Sequence, residues 1–166
     1  LSNIDAGNGY EVGSHPGVFS TFQNEFSLAN RDHEDDIAVF TSKQGMVPLT
    51  WGSLGQGILS GKYDATSDFG AGDRRSRPTY VNFHGDKLAH NLRIVEILCR
   101  VAGEVGTSAA AVAIRWILDR LPGSVAIVGI KSIRQLEGNL EALGWNLSPA
   151  DFAELDAVSL DQEKVG

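Results

Sequence analysis

With 166 residues, of which 42% are hydrophobic and 21% charged, the chain has the size and composition of one ordinary globular domain around one core. A formal net charge of −7 and no concentration of basic residues argue against a nucleic-acid partner, whose phosphates are held by basic surface. No apolar run approaches the roughly 20 residues of a spanning helix, and no basic or apolar signal segment stands at the N-terminus, so no membrane partner is expected.

The chain starts at Leu1 without a methionine and runs at once into Ser2-Asn3, which reads as the end of a strand; the expectation is a piece of a longer protein. Ala6 to Gly17, with four glycines and a proline, reads as loop. Val18 to Gln23 alternates apolar and polar residues and predicts a strand ending in the polar trio Gln23-Asn24-Glu25. Polar residues at the C-terminal end of a strand are where α/β proteins usually keep their ligands. A helix is predicted from about Glu34 to Gln44, its acidic first turn matched to the positive end of the dipole and Gly45 stopping it. The cluster His33-Glu34-Asp35-Asp36 fits that solvated turn better than a metal site, because ligand spacing on one face is absent.

Met46 to Thr50 is the next predicted strand, and it delivers the chain into a loop of unusual chemistry, Val47 to Tyr63 (V-P-L-T-W-G-S-L-G-Q-G-I-L-S-G-K-Y). An aromatic ends the strand, glycines at 52, 55, 57 and 61 allow close backbone approach, Ser53 and Ser60 carry hydroxyls, and Lys62 is a cation. The pattern suits a phosphate and an aromatic ring, or else a surface turn whose glycines serve only tight geometry. It is not a P-loop, because Gln56 stands where the first glycine belongs and Tyr63 where Ser or Thr belongs. Nor is it a dinucleotide G-x-G-x-x-G, because the third glycine, Gly61, comes one residue late.

Asp64 to Gly85 has no period and holds Arg74, Arg75 and Arg77, which could grip an anion or simply face solvent. Asp86 to Val105 then has helical spacing, with Cys99 placed on the apolar stripe and Gly106 as the stop. A single cysteine makes no internal disulfide, which fits a reduced, cytoplasmic compartment. Thr107 is expected to cap a second helix, Ser108 to Arg120, with Trp116 in the core. Val125 to Ile130 is continuously apolar and predicts a strand covered on both faces. Ser132 to Leu143 begins with the capping box Ser132-x-x-Gln135, and Ser148-Pro149 opens a last helix through about Val158. The alternation of strands and helices predicts an α/β protein.

Several of these pieces, taken in order, resemble the C-terminal half of an aldo-keto reductase. Leu1-Ser2-Asn3 is similar to that family's G-x-S-N, Gln23-Asn24-Glu25 to its Q-N-E, and Trp51 to Tyr63 to its aromatic-S-P-L-G-x-G-x-L-T-G-K-Y. Ile127 to Leu140 (I-V-G-I-K-S-I-R-Q-L-E-G-N-L) looks like I-P-G-x-[RS]-[ST]-x-x-Q-L-x-E-N-L, and Asn146-Leu147-Ser148-Pro149 like the approach to its last helix. The resemblance implies half of a (β/α)8 TIM barrel, parallel strands alternating with helices, in a protein that reduces aldehydes or ketones with NADPH. It also implies roles. Ser2, Asn3 and Gln23 would hold the nicotinamide carboxamide. Trp51 would stack on the nicotinamide ring. The backbone of Gly52, Ser53, Leu54, Gly55 and Gln56, with Lys62 and Arg77, would hold the pyrophosphate. Gly129, Lys131, Ser132, Gln135 and Asn139 would surround the adenosine end, where a helix N-terminus and a lysine suit a 2′-phosphate.

The chain departs from the family pattern at Gly52-Ser53, where Ser-Pro is usual, at Gly138, where a glutamate is usual, and over Ala6 to Gly17, where an amphipathic helix is expected. The family's general-acid tyrosine and its lysine, aspartate and histidine partners lie upstream of the strand that ends in Ser-Asn. Tyr10, Tyr63 and Tyr80 stand in no such pattern, so no catalytic residue is expected in this chain, and the segment alone is expected to be inactive. Half a barrel has open strand edges, so its expected partners are the missing N-terminal half or a second copy of itself, besides the carbonyl substrate of the parent. A non-catalytic nucleotide-sensing subunit and a small stand-alone α/β binding domain are the other readings.

Overall fold

In the computed structural model, residues 1–5, 7, 12, 14, 15 and 17–160 are described. Most of the loop expected over Ala6 to Gly17, including Tyr10, lies outside the described residues.

Parallel pairing organises the chain. Strands β1 (Thr21–Glu25), β2 (Val47–Trp51) and β3 (Val125–Ala126) form one sheet in that order, with Gln23 opposite Leu49, Glu25 opposite Trp51 and Thr50 opposite Ala126. Ser2 adds a parallel bridge to Gln23 on the free edge of β1. Helix α1 (Glu34–Gln44) joins β1 to β2, while α2 (Gly85–Val105) and α3 (Ala109–Arg120) lie between β2 and β3. Helices α4 (Ile133–Leu140) and α5 (Pro149–Leu160) complete the order. This is an α/β fold with parallel strands, as the alternation of elements predicts.

The stops read from glycine hold. Gly45 and Gly106 take left-handed φ values of 62° and 82° after α1 and α2, a conformation open to glycine at little cost. The core gathers around Trp116, fully buried and stacked between Phe26 at 5.5 Å and Phe152 at 6.4 Å. The Arg31 guanidinium lies over the indole at 5.2 Å and pairs with Glu34 and Asp156, tying α1, α3 and α5 together. No single helix among the described residues is long and apolar enough to cross a membrane; α2 and α3 meet both conditions only together, across a 97° bend.

Four local expectations are corrected. β1 begins at Thr21 rather than at Val18 and ends, as expected, in the trio Gln23-Asn24-Glu25; Val18 and Phe19 stay exposed. Asn24 points inward, and its amide exchanges hydrogen bonds with the backbone of Ile4 at 3.1 and 2.8 Å, which is why a polar residue is tolerated there. The cap of α3 is Ser108, whose hydroxyl accepts from the Ala111 N–H at 3.2 Å, while Thr107 donates to Glu141. Cys99 is exposed, one position off the buried line through Ile94, Val95 and Leu98. The apolar run Val125 to Ile130 is a two-residue strand at the sheet edge, with Val125, Ile127 and Ile130 all exposed rather than covered on both faces.

Candidate functional site

Because the strands are parallel, their C-terminal ends share one edge of the sheet, and residues singled out from β1, β2 and the segment after β3 lie along it. The Asn3 N–H donates to the Gln23 carbonyl at 2.8 Å, and the Gln23 N–H donates to the Leu1 carbonyl at 2.9 Å. The Trp51 indole N–H donates to Asn3 Oδ1 at 3.1 Å. Ser2, Asn3, Gln23 and Trp51 therefore form one connected group. The indole is fixed by its N–H and leaves its ring half-exposed.

From Trp51 the chain turns sharply. Gly52, Gly55 and Gly57 take φ values of 68°, 54° and 104°, and Gln56 joins them at 61°. Two of these glycines also sit against neighbours: a Cβ on Gly52 would come to 3.0 Å from the Glu25 carboxylate, and one on Gly55 to 2.9 Å from the Ala29 and Ile58 side chains. Glycine at 55 is thus demanded by space as well as by conformation, and at 52 by conformation. Both hydroxyls of the loop are used internally. Ser53, almost fully buried, lies 2.8 Å from the Thr50 carbonyl and 3.1 Å from the Ile127 carbonyl, and Ser60 donates to the Gly57 carbonyl at 2.7 Å. What this loop can offer an anion is backbone.

The Ser53–Ile127 contact stitches the loop to the segment that leaves β3, and that segment leads straight to Gly129, Lys131 and Ser132. Ser132 caps α4 by accepting from the Gln135 N–H at 3.2 Å, and Gln135 Oε1 accepts from the Lys131 N–H at 2.7 Å. The Ser132 half of the capping box holds, while Gln135 reaches one residue past the cap, to the Lys131 N–H. The Lys131 side chain remains exposed beside the helix N-terminus, and Gln135 and Asn139 are half-buried further along α4. Lys62 and Arg77 are exposed, and among the described residues no side-chain hydrogen bond or ion pair joins them to the groups above.

Three groups around this edge received no individual role from the sequence, although Glu25 stood in the strand-end trio and Arg75 in the arginine run. Glu25 stands at the tip of β1 against Gly52, and burial pushes its carboxyl above the ordinary glutamate value, with the negative charge of Asp32 adding to the effect. Lys87, half-buried at the start of α2, is shifted down by burial and feels both carboxylates. Arg75, rather than Arg77, is the arginine built into the fold. Its guanidinium lies over Tyr63 at 4.8 Å and over Phe69 at 4.7 Å, with Phe83 on the same cluster, and it pairs with Asp73. That pairing holds the Asp73 carboxyl down at about 2, and Lys131 adds to it. The excursion Asp64 to Gly85 therefore folds back beside the loop end and toward α4. Aromatic residues at 63, 69 and 83 flanking an arginine were the available signal, but nothing in the spacing says that they meet.

The chain is similar to proteins of known family. The model of the aldo/keto reductase family matches residues 1–160. The chain is 30% identical over 138 residues to norsolorinic acid reductase of Aspergillus flavus, covering 83% of this chain and 32% of that protein. With the aldo-keto reductase YhdN of Bacillus subtilis it shares 28% identity over 139 residues, covering 83% of this chain and 41% of the relative. The fold superposes on the glycerol dehydrogenase of Gluconobacter oxydans with a TM-score of 0.82 at 27% identity, over 95% of this chain and 47% of that one. The chain thus spans less than half the length of these relatives. With the family model matching residues 1–160 and the fold superposing over 95% of the chain, one conclusion follows: the chain belongs to the aldo/keto reductase family.

Proposed function

We propose that this chain is the cofactor-binding half of an NADPH-dependent oxidoreductase that reduces aldehydes or ketones to alcohols. The observation that carries the reading is the chain of contacts along one strand edge, from Asn3 and Gln23 through Trp51 and the glycine turn to Ser53, Ile127 and the α4 start. That row matches a dinucleotide in its chemistry: amides for a carboxamide, a ring for a ring, backbone for a pyrophosphate, and a lysine at a helix N-terminus for a second phosphate. Relatives named as a reductase and as a glycerol dehydrogenase favour carbonyl and alcohol as the substrate pair.

In this reading the cofactor supplies the hydride. Trp51, held by Asn3, would set which face of the nicotinamide is offered, and Gly52 to Gln56 with Lys62 and Arg77 would hold the pyrophosphate. Gly129, Lys131, Ser132, Gln135 and Asn139 would take the adenosine end. The general acid and its partners would come from the preceding half of the barrel, so the chain alone should leave NADPH unoxidised in the presence of an aldehyde. Cytoplasmic location and pairing with a complementary half are part of the same proposal.

Titration of the chain with NADPH and NADH, followed by calorimetry, tests it. NADPH should bind more tightly, and Lys131→Ala should erase about tenfold or more of that preference, since a hydrogen bond to a charged group contributes roughly 1.5–3 kcal/mol. Equal affinity for both nucleotides would remove the 2′-phosphate assignment, and absence of binding to either would remove the cofactor.

A further inference from the structure

Gln56 poses a question that the cofactor reading does not answer. It is a non-glycine residue at φ 61°, set between two left-handed glycines, at the apex of the loop. Residues with a Cβ leave that region unless something holds them, and Gln lacks the short side chain with which Asn or Asp bonds its own backbone there. Glycine neighbours supply no hold, because they are free to take other conformations.

The hold comes from across the loop. The Gln56 side-chain carbonyl receives the Asn82 Nδ2 at 3.5 Å. Asn82 is almost fully buried in a short 3-10 turn, Val81–Phe83, and is gripped in turn by Asn91 of α2. Asn91 Nδ2 lies 3.1 Å from the Asn82 carbonyl and 3.2 Å from Asn82 Oδ1, and Asn91 is itself fully buried. Next along the turn, Phe83 is locked into the aromatic cluster, 5.5 Å from Tyr63 and 5.2 Å from Phe69. Tyr63 also reaches back to the loop, within 3.8 Å of where a Gly57 Cβ would stand. Two buried asparagines are costly unless their hydrogen bonds are needed, and here they form a polar path from α2 to the loop apex.

We propose that Asn82, oriented by Asn91, is a positioning residue for the cofactor loop: it fixes the Gly55–Gly57 turn by holding the Gln56 side chain. The role of the turn rests on the cofactor reading above, whereas the hold itself does not. The test is a cycle of four proteins: the unmodified chain, Asn82→Ala, Gln56→Gly and the double variant. Each is read by amide hydrogen exchange without cofactor and by NADPH titration.

Asn82→Ala should speed exchange at residues 55–58 and weaken NADPH binding about two- to threefold, the low end of what one net hydrogen bond supports, as suits a 3.5 Å contact. In the Gln56→Gly background, where glycine needs no hold, the same change should add nothing to either readout. An equal loss in both backgrounds would mean that Asn82 acts only through packing, and would overturn the proposal. Exchange that couples the two residues without NADPH binding would keep the hold and remove the cofactor reading; binding without coupling would do the reverse. Should Asn82→Ala not fold, Gln56→Met tests the same link from its exposed end by keeping length and removing the amide. Unchanged exchange there would also overturn it.

Discussion

Glu25 shows how much a single side chain depends on register. Its place opposite Trp51 brings the carboxylate onto Gly52, where burial raises its pKa from the ordinary 4.5, Asp32 adds to the rise, and His33 and Lys87 oppose it. A carboxyl that holds its proton more tightly in the folded chain favours the fold while protonated. That contribution is complete below 4.5 and is lost as pH rises through the raised value. Glu25→Gln, which stays neutral, should therefore raise the thermal unfolding midpoint at neutral pH and leave it nearly unchanged well below pH 4.5. A lower midpoint at neutral pH would mean that the charge on Glu25 supports the fold through Lys87. The sequence made Gln23-Asn24-Glu25 legible as a polar group at a strand's end. It could not say that Asn24 turns inward to Ile4 while Glu25 meets Gly52, because both facts follow from which residue faces which across the sheet. The loop glycines were legible for the opposite reason: their requirement is local, written in φ.

Elements with local signals were read closely. α1 runs over Glu34–Gln44 as expected, and α5 starts at Pro149 behind the Ser148 hydroxyl. The start of α3 was ambiguous because Thr107 and Ser108 are both cap residues, and only geometry separates a hydroxyl facing the Ala111 N–H from one facing Glu141. Ser108→Ala should cost about 1 kcal/mol in urea unfolding, and Thr107→Ala, at an exposed side-chain pair, no more than about half of that. Costs in the reverse order would return the cap to Thr107. The ends of β1 and β3 were misread because an apolar run measures hydrophobicity, not whether a partner is present to cover it. Val18 and Phe19 precede the point where β2 begins to pair, and Val125 to Ile130 pairs on one side only.

For the whole molecule, that uncovered side is the feature with the widest consequence. Among the described residues the sheet stops at β3, and beyond it α4 has no buried residue although Ile133, Leu136 and Leu140 lie on it; Ile133 is 75% exposed. Val125, Ile127 and Ile130 are exposed too, so an open strand edge and an apolar helix face both stand uncovered, a combination that solitary proteins avoid. Relatives more than twice the length of this chain have further segments with which to cover such a face, and in the proposal above a complementary half barrel does so here. Left by itself, the chain should satisfy the face with a second copy and sediment as a dimer or larger species at micromolar concentration. Ile133→Glu should shift it toward monomer. The unfolding midpoint of the monomer should hardly move, because the side chain replaced is already in water. A single sharp monomer boundary for the unmodified chain would mean that the face is stable uncovered, and the complementary half would lose its physical motive.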